Sequence, residues 1–118
     1  DIDGHWRNYN VHNWMPLNQD QYAMYMKIES VEDRVSFLEN LLRKQIAVFA
    51  ESMQVKSTYE VEAEILDVTN EKYIEYKSQF HLTFCINIRA NVTLPEYIGL
   101  GKGVSVGFGI VKTLDKQN

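Results

Sequence analysis

Residues 30–53 read SVEDRVSFLENLLRKQIAVFAESM. Val31, Val35, Leu38, Leu42, Phe49 and Met53 recur at spacings of three, four and seven, the period of one helix face. Phe37, Leu41 and Ile46 widen that stripe, and Ser36, Asn40, Arg43, Lys44, Ala47 and Glu51 line the other side. Ser30 is a good N-cap, with Asp33 three residues on in a near capping box. The early acids Glu32 and Asp33 and the later bases Arg43 and Lys44 agree with the helix dipole. The segment predicts a long amphipathic helix, and its apolar stripe requires a sheet to cover it.

Strands are expected on both sides of that helix. Upstream, residues 6–17 are rich in aromatic and extended-type residues, and Pro16 ends the run because it cannot donate to a ladder. Residues 18–29 place Tyr22, Tyr25 and Met26 at helical spacing, a short helix or an irregular connection. Downstream, residues 58–66 predict a strand with Tyr59, Val61, Ala63 and Ile65 facing one way and Glu60, Glu62 and Glu64 the other. Asp67, Val68, Thr69 and Asn70 read as a turn. Residues 72–91 then alternate without interruption. Ile74, Tyr76, Phe80, Leu82, Phe84, Ile86 and Ile88 share one face, and the polar residues from Glu75 to Arg89 share the other. Strands average about 5–6 residues, so this one is expected to be bent or bulged. Residues 92–103 predict a loop and 104–114 a last strand punctuated by glycines. The order is that of an α+β, ferredoxin-like (RRM-like) βαββ(α)β antiparallel sheet with one long packed helix, the second helix missing or very short.

At 118 residues the chain is the size of one domain, and 45% apolar content suits a modest core. Net charge is −4, which argues against a surface given over wholly to phosphate binding. Any nucleic-acid contact is therefore local or shared with another domain. Cys85, the one cysteine, excludes an internal disulfide. No stretch approaches the roughly 20 apolar residues of a membrane span, and a cytoplasmic setting follows. No His, Cys, Asp or Glu grouping has metal-ligand spacing, and neither metal nor cofactor is expected. The start, Asp1-Ile2-Asp3-Gly4, has no initiator Met and no signal-peptide pattern. Residues 1–118 are accordingly expected to be a single ferredoxin-like domain, the C-terminal part of a longer two-domain chain.

The chemistry-bearing feature is the loop. Gly99-Leu100-Gly101 and Gly107-Phe108-Gly109 bracket the five residues from Lys102 to Val106. Glycine lets another backbone approach closely, so a phosphodiester could sit against main-chain N–H donors, with Lys102 adding a cation. Leu100 and Phe108 would anchor the loop to the core. Bare turns and bulges are the alternative reading of such glycines. Neither common phosphate motif fits. After Lys102 comes Gly103 rather than the Ser or Thr of a P-loop, and Val104 stands where a dinucleotide fingerprint needs its third glycine.

This doubled glycine pattern, near the end of the chain and running into a last strand, resembles the C-terminal glycine-rich loop of the CRISPR-associated repeat-processing endoribonucleases, of the repeat-associated RNA-binding superfamily. Leu94 to Ile98 and the helix end Ile46 to Ala50 are similar to that group as well. The resemblance implies CRISPR RNA maturation by metal-independent cleavage, in which the substrate's 2′-hydroxyl attacks the adjacent phosphate. It implies CRISPR repeat RNA as partner, bound through Gly99, Gly101, Lys102, Gly103, Gly107 and Gly109, with Arg89 and His81 as neighbours. The family's catalytic histidine usually lies in the N-terminal of two ferredoxin-like domains, so no catalytic residue is assigned here. His12 and His5 are weak candidates, and the solvated strand face is the plainer reading of His81. Tyr9, Trp14, Tyr73 and Tyr97 could stack on bases or belong to the core. Two other readings stay open: a non-catalytic RNA-binding or structural CRISPR subunit, and an unrelated ferredoxin-like regulatory domain that binds a small molecule or forms a homodimer through its open sheet.

Overall fold

In the computed structural model, which describes residues 1–114, the expected long helix is α2, Val31–Ser52. Ser30 caps it, its hydroxyl accepting from the Asp33 N–H at 3.1 Å. The preceding α1 runs Gln19–Lys27 and opens on a capping box between Asn18 and Gln21. The sheet comprises β1 (Ile2–Trp14), β2 (Ala63–Tyr76), β3 (Gln79–Val92) and β4 (Ile110–Thr113). Its order is β2-β3-β1-β4, every pair antiparallel. That is the ferredoxin-like arrangement. Only a three-residue 3-10 turn, Val104–Val106, stands where the second helix would be.

The buried stripe of α2 is Leu38, Leu42, Ile46 and Ala50. It packs on Tyr9, Val11, Phe84, Ile86 and Ile88 of the two central strands. Each fully buried aliphatic side chain stabilises the fold by about 1.5–3 kcal/mol. Ile46 is therefore central to the stripe, whereas Val31 is 72% exposed and Met53 59%, at helix ends beyond the sheet's reach. Polar side chains of α2 also hold β2. The Glu39 carboxylate accepts from the Ile65 N–H at 2.7 Å, and Arg43 donates to the Ala63 carbonyl at 2.9 Å. Arg43 thus bridges helix and strand instead of lying on a solvated side.

The strand boundaries differ from expectation in five places. β1 begins at Ile2 and ends at Trp14, because Ile2 already pairs with Val92. β2 starts at Ala63, not 58, since the Asn91 side chain binds the backbone of Glu60 and Glu62 and holds that stretch out of register. The segment 67–70 is not a turn. Its turn-forming residues sit at two register shifts, Ile65/Asp67 and Val68/Asn70, within one continuous strand. The real turn is Lys77-Ser78, inside the stretch read as one long strand, and both residues take positive φ, 53° and 64°. Two positive-φ residues make the primed hairpin turn that matches strand twist.

The faces change with that turn. Tyr76 pairs with Gln79 and Ile74 with His81, so all four lie on the open face. Glu75 pairs with Phe80 and Tyr73 with Leu82, on the helix side. The expected last strand shortens to Ile110–Thr113, because Gly103 and Gly107 adopt left-handed backbone and turn the chain before it.

Tyr25 of α1 fills the space beside α2, edge-on to Phe84 at 5.7 Å and beneath the Arg34 guanidinium at 4.8 Å. Burial first, and the Glu71 carboxylate second, push its phenol up to about 12. A raised phenol contributes stability that is complete below its ordinary value near 10 and is lost as pH rises toward 12. The difference in melting temperature between the wild-type protein and Tyr25→Phe, followed by circular dichroism, should therefore shift in favour of Tyr25→Phe between pH 10 and pH 12.

Candidate nucleic-acid interface

The connection from β3 to β4 wraps the end of the sheet. It leaves β3 under the Tyr9 hydroxyl, which donates to the Val92 carbonyl and accepts from the Leu94 N–H, each at 2.9 Å. Residues 97–100 then run back against 109–111. The Tyr97 N–H donates to the Val111 carbonyl, Val111 N–H to Ile98, and Leu100 N–H to Gly109. Between these rungs the 103–108 lobe is closed by the Phe108 N–H on the Gly103 carbonyl at 3.1 Å. Leu100 is buried as expected, and Phe108 is half-buried on the open face against Tyr76, ring centroids 5.4 Å apart.

The loop is seated on the end of β1. Lys102 N–H donates to the Met15 carbonyl at 3.0 Å, and Gly109 N–H is shared between the carbonyls of His12 and Asn13 at 2.8 and 3.0 Å. A Cβ at Gly101 would meet the Met15 oxygen at 2.9 Å and the Trp14 indole at 3.2 Å. A Cβ at Gly109 would collide with the Leu100 carbonyl oxygen. These glycines are required by close backbone approach. Gly107 differs, for a Cβ there meets nothing within 4 Å and only its φ of 99° favours glycine.

The loop's amides are divided between two uses. Those of Leu100, Lys102, Val106, Gly107, Phe108 and Gly109 are taken up internally. Those of Gly99, Gly101, Gly103, Val104 and Ser105 make no hydrogen bond among the described residues. The donor run expected over 99–109 therefore narrows to Gly99 and the stretch 101–105. Lys102 lies within it and makes no ion pair among the described residues. It borders two cavities: one of about 560 Å³ between the loop and α2, and one of about 420 Å³ beside the tip of the β2–β3 hairpin. Lys44 lines the first as well, a second cation that helical periodicity had placed on a solvated side.

The two neighbours expected from β3 part company. His81 is at the loop end of the open face, its ring 5.9 Å from Tyr76, which in turn touches Phe108. Arg89 is eight residues further along β3, about 27 Å at strand rise. Its guanidinium is held by Glu64 at 2.8 Å and lies over the Trp6 ring at 4.4 Å. That pairing lowers the Glu64 carboxyl below its usual range and raises Arg89. Arg89 is thus remote from the loop and already partnered.

His12 is exposed where the loop meets β1, its Nδ1 3.6 Å from the Cys85 thiol. Periodicity along β1 gave no sign of this placement, since the loop that approaches it comes from the other end of the chain. Of the aromatic candidates, Tyr9 and Trp14 are core, and Tyr73 and Tyr97 are exposed. The middle of the open face is polar, with Asn10 donating to Asn87 at 3.1 Å. It offers no stacking platform there. Among the described residues no group of three or more candidate ligands could hold a metal ion, and no helix is long and apolar enough to cross a membrane.

Sheet order and a loop clamped on the end of β1 define a ferredoxin-like domain with a glycine-rich strap. A family model described as the Cas6b C-terminal domain matches residues 1–114, and the chain belongs to that family. Among solved structures it is similar to a Cas6b, at 26% identity with a TM-score of 0.85, covering 96% of this chain and 65% of that one. It is similar also to a CRISPR RNA processing endoribonuclease Cas6b, at 25% identity with a TM-score of 0.86, covering 96% of this chain and 57% of that one. The uncharacterized protein MJ0978 of Methanocaldococcus jannaschii is 26% identical over 98 residues, 83% of this chain and 65% of that protein. The chain spans just under two thirds of the curated relative's length.

The glycines separate by substitution. Gly107→Ala, with open space around its Cβ, should cost only about 1–2 kcal/mol of left-handed strain. Gly109→Ala should cost more and also strip hydrogen-exchange protection from the Leu100 and Val111 amides. Urea unfolding and amide exchange measure the two effects.

Proposed function

We propose that this domain binds CRISPR repeat RNA during its maturation, as the C-terminal part of a metal-independent endoribonuclease acting in the cytoplasm. The observation that carries the reading is Lys102. Among the described residues it makes no ion pair and is set among backbone amides without hydrogen bonds, on a loop whose path is fixed by Met15 and Gly109. Backbone donors beside a cation suit a phosphodiester, and they ask nothing of base sequence. The overall charge of −4 agrees with a contact confined to this strap.

In this reading the RNA's 2′-hydroxyl attacks the neighbouring phosphorus and the 5′-oxygen leaves, giving a cyclic phosphate and a 5′-hydroxyl. A general base and a general acid are needed, and histidine suits both near neutral pH. An N-terminal ferredoxin-like domain of the same protein would supply that group. This domain's part is to hold the strand through Lys102 and the amides of Gly99, Gly101, Gly103, Val104 and Ser105, with Gly107 and Gly109 shaping the loop and His81 at its border. The similarity to a CRISPR RNA processing Cas6b supports the assignment.

Two measurements on the full-length protein test it. Repeat RNA should be cleaved undiminished in EDTA. Lys102→Ala should weaken repeat-RNA binding and reduce the slope of log K against log salt by about 0.7, one single-strand phosphate contact. Unchanged binding in both Lys102→Ala and Gly101→Val refutes the assignment.

A further inference from the structure

The second cavity at Lys102 has a composition of its own. Its volume is about 420 Å³, within the roughly 300–1,000 Å³ of small-ligand sites. One wall is the start of α1, with Asn18, Gln19 and Tyr22, and the other is the β2–β3 hairpin, with Tyr73 and Phe80. The Tyr22 and Tyr73 hydroxyls meet at 2.6 Å and their rings stand edge to face, 75° apart, which stiffens the cleft across its two walls. In that pair one hydroxyl donates and the other accepts, so one O–H stays open to a ligand beside the two rings.

Phe80 is the anomaly. It is 70% exposed on the helix side of a hairpin that runs past the helices. Leaving a ring of that size in water forgoes the free energy of its burial. Charge distinguishes what could cover it. Among the described residues Lys102 is the lysine or arginine that lines the cleft, with His81 lining it as well, and Glu75 lies opposite Phe80 in the strand register. A phosphate is favoured at Lys102 and disfavoured toward the hairpin, where Glu75 stands. A nucleobase is neutral, has a stacking face for Phe80, and has polar edges that the amides of Asn18 and Gln19 can meet.

We propose that this cleft receives one unstacked base of the bound RNA strand, with Phe80 stacking on it while the adjoining phosphate rests at Lys102. The proposal rests on the RNA-binding reading of the loop, and it adds a site at which a base is held.

The probe is a 12-nucleotide uridine RNA carrying 2-aminopurine at one central position and a terminal fluorescein, titrated with the full-length protein. Fluorescein polarisation reports binding, and 2-aminopurine emission reports stacking. Binding by the wild-type protein should quench the 2-aminopurine. Phe80→Ala, at an exposed position that the core does not use, should abolish the quenching and weaken binding about tenfold, the loss of one base–aromatic stack. Quenching or affinity that survives Phe80→Ala, while Lys102→Ala still weakens binding, overturns the cleft and leaves the loop reading standing. Indifference of binding to both substitutions overturns both.

Discussion

The meeting of Gly101 with Trp14 and the Met15 carbonyl is the constraint on which the site depends. Trp14 is completely buried, its ring packed against Phe84 and its indole N–H donating to Gln45 of α2 at 2.8 Å. It is therefore immobile before the loop arrives. Gly101 passes over it with no room for a Cβ, and the next amide locks onto Met15. Packing of the core thus becomes a position for the loop. The Lys102 side chain starts from a backbone that core, sheet and strap all hold, so its Cα is fixed and its reach is set by four rotatable bonds.

Much of this was legible in the linear chain, for identifiable reasons. The helix period over 31–53 is long enough that no competing pattern fits it, and the Ser30 cap marks its start. The glycine pattern was read as making room for a phosphodiester, and at Gly101 and Gly109 the space is taken by the protein's own Met15 and Leu100 carbonyls, as the alternative reading of tight turns has it. What stayed hidden has a common cause. Lys77 and Ser78 are not residues that announce a hairpin, and the alternation of 72–91 runs through them unbroken. Asp67 and Asn70, which do announce turns, are used at register shifts where unpaired residues are accommodated. Arg89 and Lys44 were misjudged because long-range partners, Glu64 and the glycine strap, decide the accessibility of each.

The relocated turn matters for function as well as for topology. It brings Tyr76 and His81 to the open face, where Phe108 joins them, and leaves Tyr73 and Phe80 on the helix side. The strap therefore has aromatic neighbours on each side of the sheet's end. The middle of the open face is polar, with Asn10 donating to Asn87, and the aromatic side chains gather at the sheet's end.

The attachment of Glu39 and Arg43 to the backbone of β2 has an effect on colloidal behaviour. A fourteen-residue outer strand with free hydrogen-bonding groups would be a template on which a neighbouring molecule could add a strand and begin a fibril. Here the Ala63 carbonyl and Ile65 N–H are occupied from within, and the irregularities at Leu66 and Thr69 spoil the repeat just beyond them. The base of the strand is thus closed to strand addition, while Asn70 to Tyr76 continue in regular pairing with β3.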